Sequence, residues 1–265
     1  MKRFIPFVKS DPTVAVIRLS GMIGSGPRAQ LSDEAMAPVI ERAFRRGKPA
    51  AVALVINSPG GSPVQSALIG ARIRRLAEEK KIPVHAFVED VAASGGYWLA
   101  CAADDIRADY GSIVGSIGVI SAGFGAHELL ARQGIERRVY TAGQSKSMLD
   151  PFKPEDEADV ARLRVILEDM HTGFKEWVTA RRGDKLATDR DLFTGDIWLG
   201  GKAIEVGLID ALGHMEPTMK DLYGDKVRFA RYGRKRSIFQ RFGATLIHDA
   251  LTGFEERAAY ARFGL

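Results

Sequence analysis

The sequence predicts an α/β fold, a mainly parallel sheet layered between flanking helices. Short apolar runs rich in Val, Ile and Ala alternate with helix-length stretches, the signature of strand–helix–strand units. One run, Ala51-Val52-Ala53-Leu54-Val55-Ile56, shows no polar alternation, as expected of a parallel strand buried on both faces. Two of the strand-to-helix junctions are rich in Gly and Ser. The 265 residues, 46% of them hydrophobic, suffice for one large domain or two small ones.

In chain order, Val14 to Leu19 reads as the first strand, closed by Gly21. Leu31 to Arg46 reads as a helix capped by Ser32 ahead of Asp33 and Glu34. The Ala51–Ile56 strand runs into Asn57-Ser58-Pro59-Gly60-Gly61-Ser62-Pro63, where Ser62 followed by Pro63 marks a helix start. That helix continues to about Lys80. Val84 to Val88 is a third strand, and a helix begins near Ser94 and ends near Ala103. Short strands are expected at Ile106–Ala108, Gly118–Ile120 and Arg137–Thr141, with a helix from Gly125 to Gln133. The longest helix has Pro154 in its first turn, acidic residues at its start, Arg181 and Arg182 at its end and Gly183 as its stop. A short helix runs through residues 202–206 and stops at Gly207. From Ser237 to Phe254, Ile238, Phe239, Phe242, Leu246, Ala250 and Phe254 recur at helical spacing, an amphipathic pattern.

Composition excludes several classes. A single cysteine, Cys101, rules out an intrachain disulfide and Cys-rich zinc sites, and its apolar setting reads as a buried structural thiol. The five histidines (His85, His127, His171, His214, His248) are scattered, with no pair at metal-ligand spacing. Neither a phosphate-loop motif nor a dinucleotide fingerprint is present, so no cofactor is expected. The stretch from Met1 to Lys9 is too short for a signal-peptide core or a membrane span, which gives a cytoplasmic expectation. The net charge of +5 is uneven: seven Lys or Arg and no acid lie between Lys226 and Arg241. Such a segment reads as a solvated tail or as one that meets an anionic membrane surface or nucleic acid.

The two Gly/Ser junctions can carry chemistry. In Asn57–Ser62 adjacent glycines leave backbone amides uncovered, fit to bind an oxyanion or simply to make a tight turn before a helix. In Ala93-Ser94-Gly95-Gly96-Tyr97 a serine at a helix start has small neighbours that admit a substrate carbonyl; it reads equally as an N-cap. A serine nucleophile needs a base, and no histidine stands in a suitable motif. Lys146, in Gly143-Gln144-Ser145-Lys146-Ser147 ahead of Pro151-Phe152, is a candidate; by itself it is also one surface lysine among many. Lysine accepts a proton from serine only where burial or a nearby cation lowers its pKa by about 2–4 units.

The ordered set Asn57–Ser62, Ala93–Tyr97, Gly115-Ser116-Ile117-Gly118-Val119-Ile120 and Lys146-Ser147 with Pro151-Phe152 resembles the signal peptide peptidase A (protease IV) family. Gly207-Leu208-Ile209-Asp210 is similar to that family's closing motif. The resemblance covers roughly residues 12 to 230. It implies a Clp protease/crotonase-like fold, Ser94 as nucleophile and Lys146 as general base. It further implies Gly61 and Gly95 as oxyanion-hole amides and Ser116 as the residue that orients the lysine amine. It also implies peptide substrates and a homo-oligomer whose active sites lie at subunit interfaces. The expected division is a peptidase domain over 1–230 and a basic amphipathic extension over 231–265. Members of this family usually carry an N-terminal membrane anchor, and none is legible here; the basic extension would then be a peripheral membrane contact or a packed helix, with no nucleic-acid role. Competing readings are a crotonase-like acyl-CoA enzyme, a Clp-type peptidase with a histidine base, and an inactive membrane-associated scaffold.

Overall fold

A computed structural model describes residues 11–25, 31–143, 145–233 and 257–265. The Met1–Lys9 stretch and the helix expected from Ser237 to Phe254 lie outside these residues. The centre of the sheet is β1 (Thr13–Ser20), β2 (Ala51–Ser58) and β3 (Val84–Ala93). β3 serves two neighbours in turn. Its first half pairs with β4 (Asp105–Ala108) and its second with β5 (Ile113–Gly115). β6 (Ile197–Leu199) flanks β5, β7 (Ala211–Leu212) flanks β4, and β8 (Arg228–Tyr232) closes the far edge beside β1. All pairings are parallel except β5 with β6. The α/β expectation therefore holds, with a mostly parallel sheet.

The helices form for reasons present in the chain. α1 (Asp33–Arg45) is capped by Ser32, whose hydroxyl accepts from the Ala35 N–H, and it buries Met36, Val39, Ile40, Ala43 and Phe44 at helical spacing. α2 (Pro63–Lys80) has Pro63 in its first turn and Ser62 as cap. α3 (Gly95–Ala100) follows β3 directly. Together with α1 and α2 it covers one sheet face, packing on Ile17, Leu54 and Ala86. On the other face Val16, Ala53, Val55 and Phe87 meet Met215, Met219 and Tyr223 of α7 (Met215–Tyr223). Cover on both sides accounts for the unbroken apolar run in β2.

Beyond the core, α4 (His127–Arg132) sits in an exposed excursion over residues 119–156. The long α5 (Glu157–Arg182) returns to the body, and α6 (Gly200–Glu205) follows β6. Three expectations need correction. Pro154 precedes α5, because Asp156 is the cap and its carboxylate accepts from the Ala158 and Asp159 amides. Gly118–Ile120 is not a strand; the chain pairs earlier, at Ile113–Gly115, and turns at Ser116, whose φ is 51°. Arg137–Thr141 is not a strand either: no strand lies beside it among the described residues, and Tyr140 is 91% exposed. β-Propensity alone does not hold an unpaired strand.

A register shift shapes the site. Ile56 pairs with Val88, but Ser58 pairs with Ala92, so Glu89 and Asp90 bulge out of β3. The Asn57 side-chain amide donates to Asp90 across this bulge at 2.5 Å. The Ser112 hydroxyl donates to the Glu89 carbonyl at 2.5 Å. Such a bulge redirects the end of a strand; here it exchanges β4 for β5 as the neighbour and aims β3 at Ser94.

Two charged clusters tie the layers together. The Arg182 side chain, 3% exposed, donates to the Gly207 carbonyl at 2.9 and 2.8 Å and to Asp210 at 2.8 and 3.2 Å. Asp210 also accepts from Lys185 and the Ile106 amide. Burial opposes its ionisation, yet these donors hold its carboxyl below the usual range. Gly207–Asp210, which resembles a closing motif in sequence, is thus the anchor of α5. Arg182→Ala is expected to cost about 1.5–3 kcal/mol, because it removes a buried guanidinium whose charge-assisted hydrogen bonds tie α5 to the Gly207 carbonyl and Asp210. Denaturant unfolding measures this; a loss below about 1 kcal/mol, the scale of a surface pair, would contradict it.

On the opposite face Asp105 accepts from His85 at 3.3 Å and Arg107 at 2.9 Å. The His85 hydrogen bond first, and Arg107 after it, hold the Asp105 carboxyl at about 2, against burial. The folded-state pKa is depressed from 3.8, so the contribution to stability is complete above that value. It is lost as pH falls from there toward about 2. Asp105→Asn should therefore flatten the fall in thermal midpoint across that window. An unchanged acid limb would refute the assignment.

Candidate active site

Three segments converge at the carboxyl ends of the central strands, where open parallel sheets place their sites. The first is the loop after β2. The Ser58 hydroxyl donates to the Gly21 carbonyl at 2.7 Å and accepts from the Gly60 amide at 3.2 Å. Ile23 clamps the loop from outside: its N–H donates to Gly60 at 2.9 Å and its carbonyl accepts from Ser62 at 2.8 Å. Gly61 adopts φ 139°, and any side chain there would overlap the Ile23 carbonyl. Its N–H is left without an acceptor among the described residues.

The second segment is the β3–α3 junction. Ser94 sits at φ 52°, ψ −121°, a conformation costly for a residue with a side chain. Its N–H donates to the Gly115 carbonyl at 2.8 Å, while its hydroxyl makes no capping bond. Ser94 thus stands at the N-cap position, its carbonyl accepting from the Trp98 N–H at 3.0 Å, without its side chain capping the helix. What remains is a sharp strand–turn–helix elbow that presents a free hydroxyl. The Gly95 amide also lacks an acceptor among the described residues, and Gly95 is buried. A Cβ on Gly95 would come 3.4 Å from the Gly61 nitrogen, so the two free amides lie close together beside Ser94. An unsatisfied buried amide is rare and calls for a ligand or water. Because α3 has only six residues, the local geometry matters more than the helix dipole.

The third segment is Gly115–Gly118. Ser116 follows the residue that receives the Ser94 amide, and its own N–H donates to the Asp196 carbonyl at 2.7 Å. Thus Ser94, Gly61, Gly95 and Ser116 form one neighbourhood. Lys146 has no hydrogen bond to any of these four among the described residues. It is exposed in the 119–156 excursion. The excursion is braced on its own. Arg137 holds Asp150 at 2.9 Å and lies 5.0 Å over the Phe152 ring, and the Ala126 amide donates to the Pro151 carbonyl at 2.7 Å.

Other candidate groups are spent elsewhere. Burial pushes the Cys101 thiol up to about 12, so it is an inert core group. The His171 Nε2 lies 3.1 Å from the Ile117 carbonyl and acts there as a donor. None of the four described histidines is hydrogen-bonded to Ser94. Ile23 and Asp196 hold the site but stand in no motif of the sequence, and Asn57 opens the first Gly/Ser motif without its own role being legible; they act through backbone carbonyls or a strand-end contact, which residue type does not reveal.

The sequence profile of peptidase family S49 matches residues 76–226, which contain Ser94, Ser116 and Lys146. The chain belongs to peptidase family S49. Among curated relatives of this S49 chain, the "Na(+)/H(+) antiporter NhaA" of Brucella abortus is 45% identical over 286 residues, covering 100% of this chain but 39% of that protein. "Serine protease SPPA, chloroplastic" of Arabidopsis thaliana is 34% identical over 211 residues, 76% of this chain and 30% of the relative. The chain thus spans about two fifths of the Brucella protein, whose name describes the whole. No helix among the described residues is long and apolar enough to cross a membrane. A solved S49 structure, a mutant of 1510-N membrane-bound stomatin-specific protease in complex with a substrate peptide, superposes with a TM-score of 0.50. The match is 15% identical and covers 92% of this chain and 100% of the other, a likeness of fold alone.

Proposed function

We propose that this chain is a serine endopeptidase that cleaves extended apolar peptides, with Ser94 as nucleophile and Lys146 as general base. The observation that carries the proposal is the strained Ser94 elbow, its hydroxyl uncommitted, beside two unpaired amides. In this reading the peptide carbonyl lies against the Gly61 and Gly95 amides. Lys146 takes the Ser94 proton as Oγ attacks. The two amides then stabilise the tetrahedral oxyanion, and protonated Lys146 delivers its proton to the leaving amine. Water, deprotonated by Lys146, opens the acyl-enzyme and frees Ser94. Ser116 orients the lysine amine. The exposed Val64 and Leu68, on the α2 turns after Gly61, favour apolar side chains beside the site. The serine protease name of the Arabidopsis relative and the peptide named with the solved structure agree with the same reading.

In the proposed assembly Lys146 reaches Ser94 of a neighbouring copy. Two features support this. Lys146 is exposed with no hydrogen bond to its own Ser94 among the described residues, and its excursion exposes apolar groups, Phe124 at 93%, Tyr140 at 91% and Ile120 at 68%, that a second copy would cover. We assign the peptidase unit to residues 1–230 and treat 231–265 as an extension, although β8 already carries Arg231 and Tyr232 into the sheet. Fluorophosphonate labelling tests the nucleophile: mass spectrometry should find the adduct on Ser94 and none in Ser94→Ala. Modification of another serine, or no adduct, would overturn the assignment.

A further inference from the structure

Residues 257–265 return to the sheet beside the proposed site. They are helical from 257 to 261. Tyr260 and Phe263 pack on Val91, Ala93 and Ile113. Val91 and Ala93 are fully buried, and they lie just ahead of Ser94 on the sheet face turned away from α3. Leu265 lines a cleft with Val55, Phe87, Asp90 and His214 on the same face. The contact that matters most is polar: the Tyr260 hydroxyl donates to the Asn57 carbonyl at 2.8 Å.

Asn57 is the root of the glycine loop. Its carbonyl also accepts from the Gly21 amide at 2.9 Å, and its side-chain amide spans the β3 bulge to Asp90 at 2.5 Å. Three elements thus meet on one residue, four positions before Gly61. Two donors on one carbonyl fix the direction of the peptide plane at the strand end. The loop beyond it must aim the Gly61 amide at an oxyanion, and a misplacement of about 1 Å at a reacting centre costs on the order of 100-fold in rate. Tyr260 and Phe263 meanwhile brace the strand that leads into Ser94.

Resting on the Ser94 reading, we propose that Tyr260 is a positioning residue: residues 257–265 hold the oxyanion loop and the nucleophile strand in mutual register. Tyr260→Phe keeps the ring on Val91 and Ala93 and removes only the hydroxyl. Its kcat should fall about tenfold with KM within about twofold of wild type, the pattern of an interaction realised in the transition state. The thermal midpoint should stay unchanged. A merely structural role would move the midpoint and leave kcat per folded molecule alone. Peptidase kinetics are measured for wild type, Ser94→Ala and Tyr260→Phe, well below the unfolding temperature. Wild-type kcat in Tyr260→Phe, with Ser94→Ala silent, would overturn this proposal alone. A kcat above wild type would also overturn it, because residues 257–265 would then obstruct the site. Ser94-independent hydrolysis would instead overturn the peptidase reading beneath it.

Discussion

Ser94→Ala is expected to lower kcat/KM for an apolar fluorogenic peptide by roughly 10⁴-fold or more, the scale seen when a nucleophile is removed from an acyl-transfer site. The physical case is local. Ser94 is held at φ 52° between a buried strand and a short helix, with its amide fixed on Gly115. That strain has no structural return, since the hydroxyl caps nothing. Alanine occupies the same backbone without new contacts, so folding should survive and only chemistry should be lost. Equal thermal midpoints with a silent variant are the expected pair of results. Activity within tenfold of wild type would remove Ser94 from the mechanism.

Lys146→Ala is the second large effect, a loss of about 10³-fold or more if it is the base. Here stability should be unaffected, because the side chain is exposed and makes no ion pair or hydrogen bond among the described residues. Lys153 is the natural control. It lies in the same excursion, where its ammonium donates to the Ser147 hydroxyl at 3.1 Å, and Lys153→Ala should leave most activity. Equal losses in both variants would point to a disturbed excursion rather than to a missing base.

The fold was largely legible where local signals and burial agree. The unbroken apolar run of β2, the Ser62-Pro63 start of α2 and the Arg-Arg-Gly stop of α5 all appear as read. The elements not anticipated are β6, β7, β8 and α7. The strands among them run from two to five residues and gain stability from their neighbours, not from their own pattern. The shift from Gly118–Ile120 to Ile113–Gly115 has the same origin, since pairing with β3 and β6 decides which apolar triplet becomes the strand. Of the candidate site, Ser94, Gly61, Gly95 and Ser116, named from motifs, lie near one another in the fold, and their roles are proposals. The contacts that set their geometry were not legible. The bulge at Glu89–Asp90, the Ile23 clamp and the Tyr260 contact depend on long-range register, which no short window encodes. Lys146 was legible only as a residue type in a Gly/Ser loop; among the described residues no hydrogen bond ties it to Ser94, and its pairing with Ser94 is part of the proposal.

The most direct test of the dyad is therefore made with mixed chains. Ser94→Ala and Lys146→Ala proteins are assayed singly, and again after co-expression in equal amounts with separable tags. Each single variant should be silent. In a symmetric assembly whose sites take Ser94 from one copy and Lys146 from the next, random mixing restores about one quarter of the sites. The co-expressed sample should recover activity on that scale. A silent mixture that purifies as a mixed oligomer, or a Lys146→Ala protein that cleaves at the wild-type rate, would contradict a Ser94–Lys146 dyad shared between subunits.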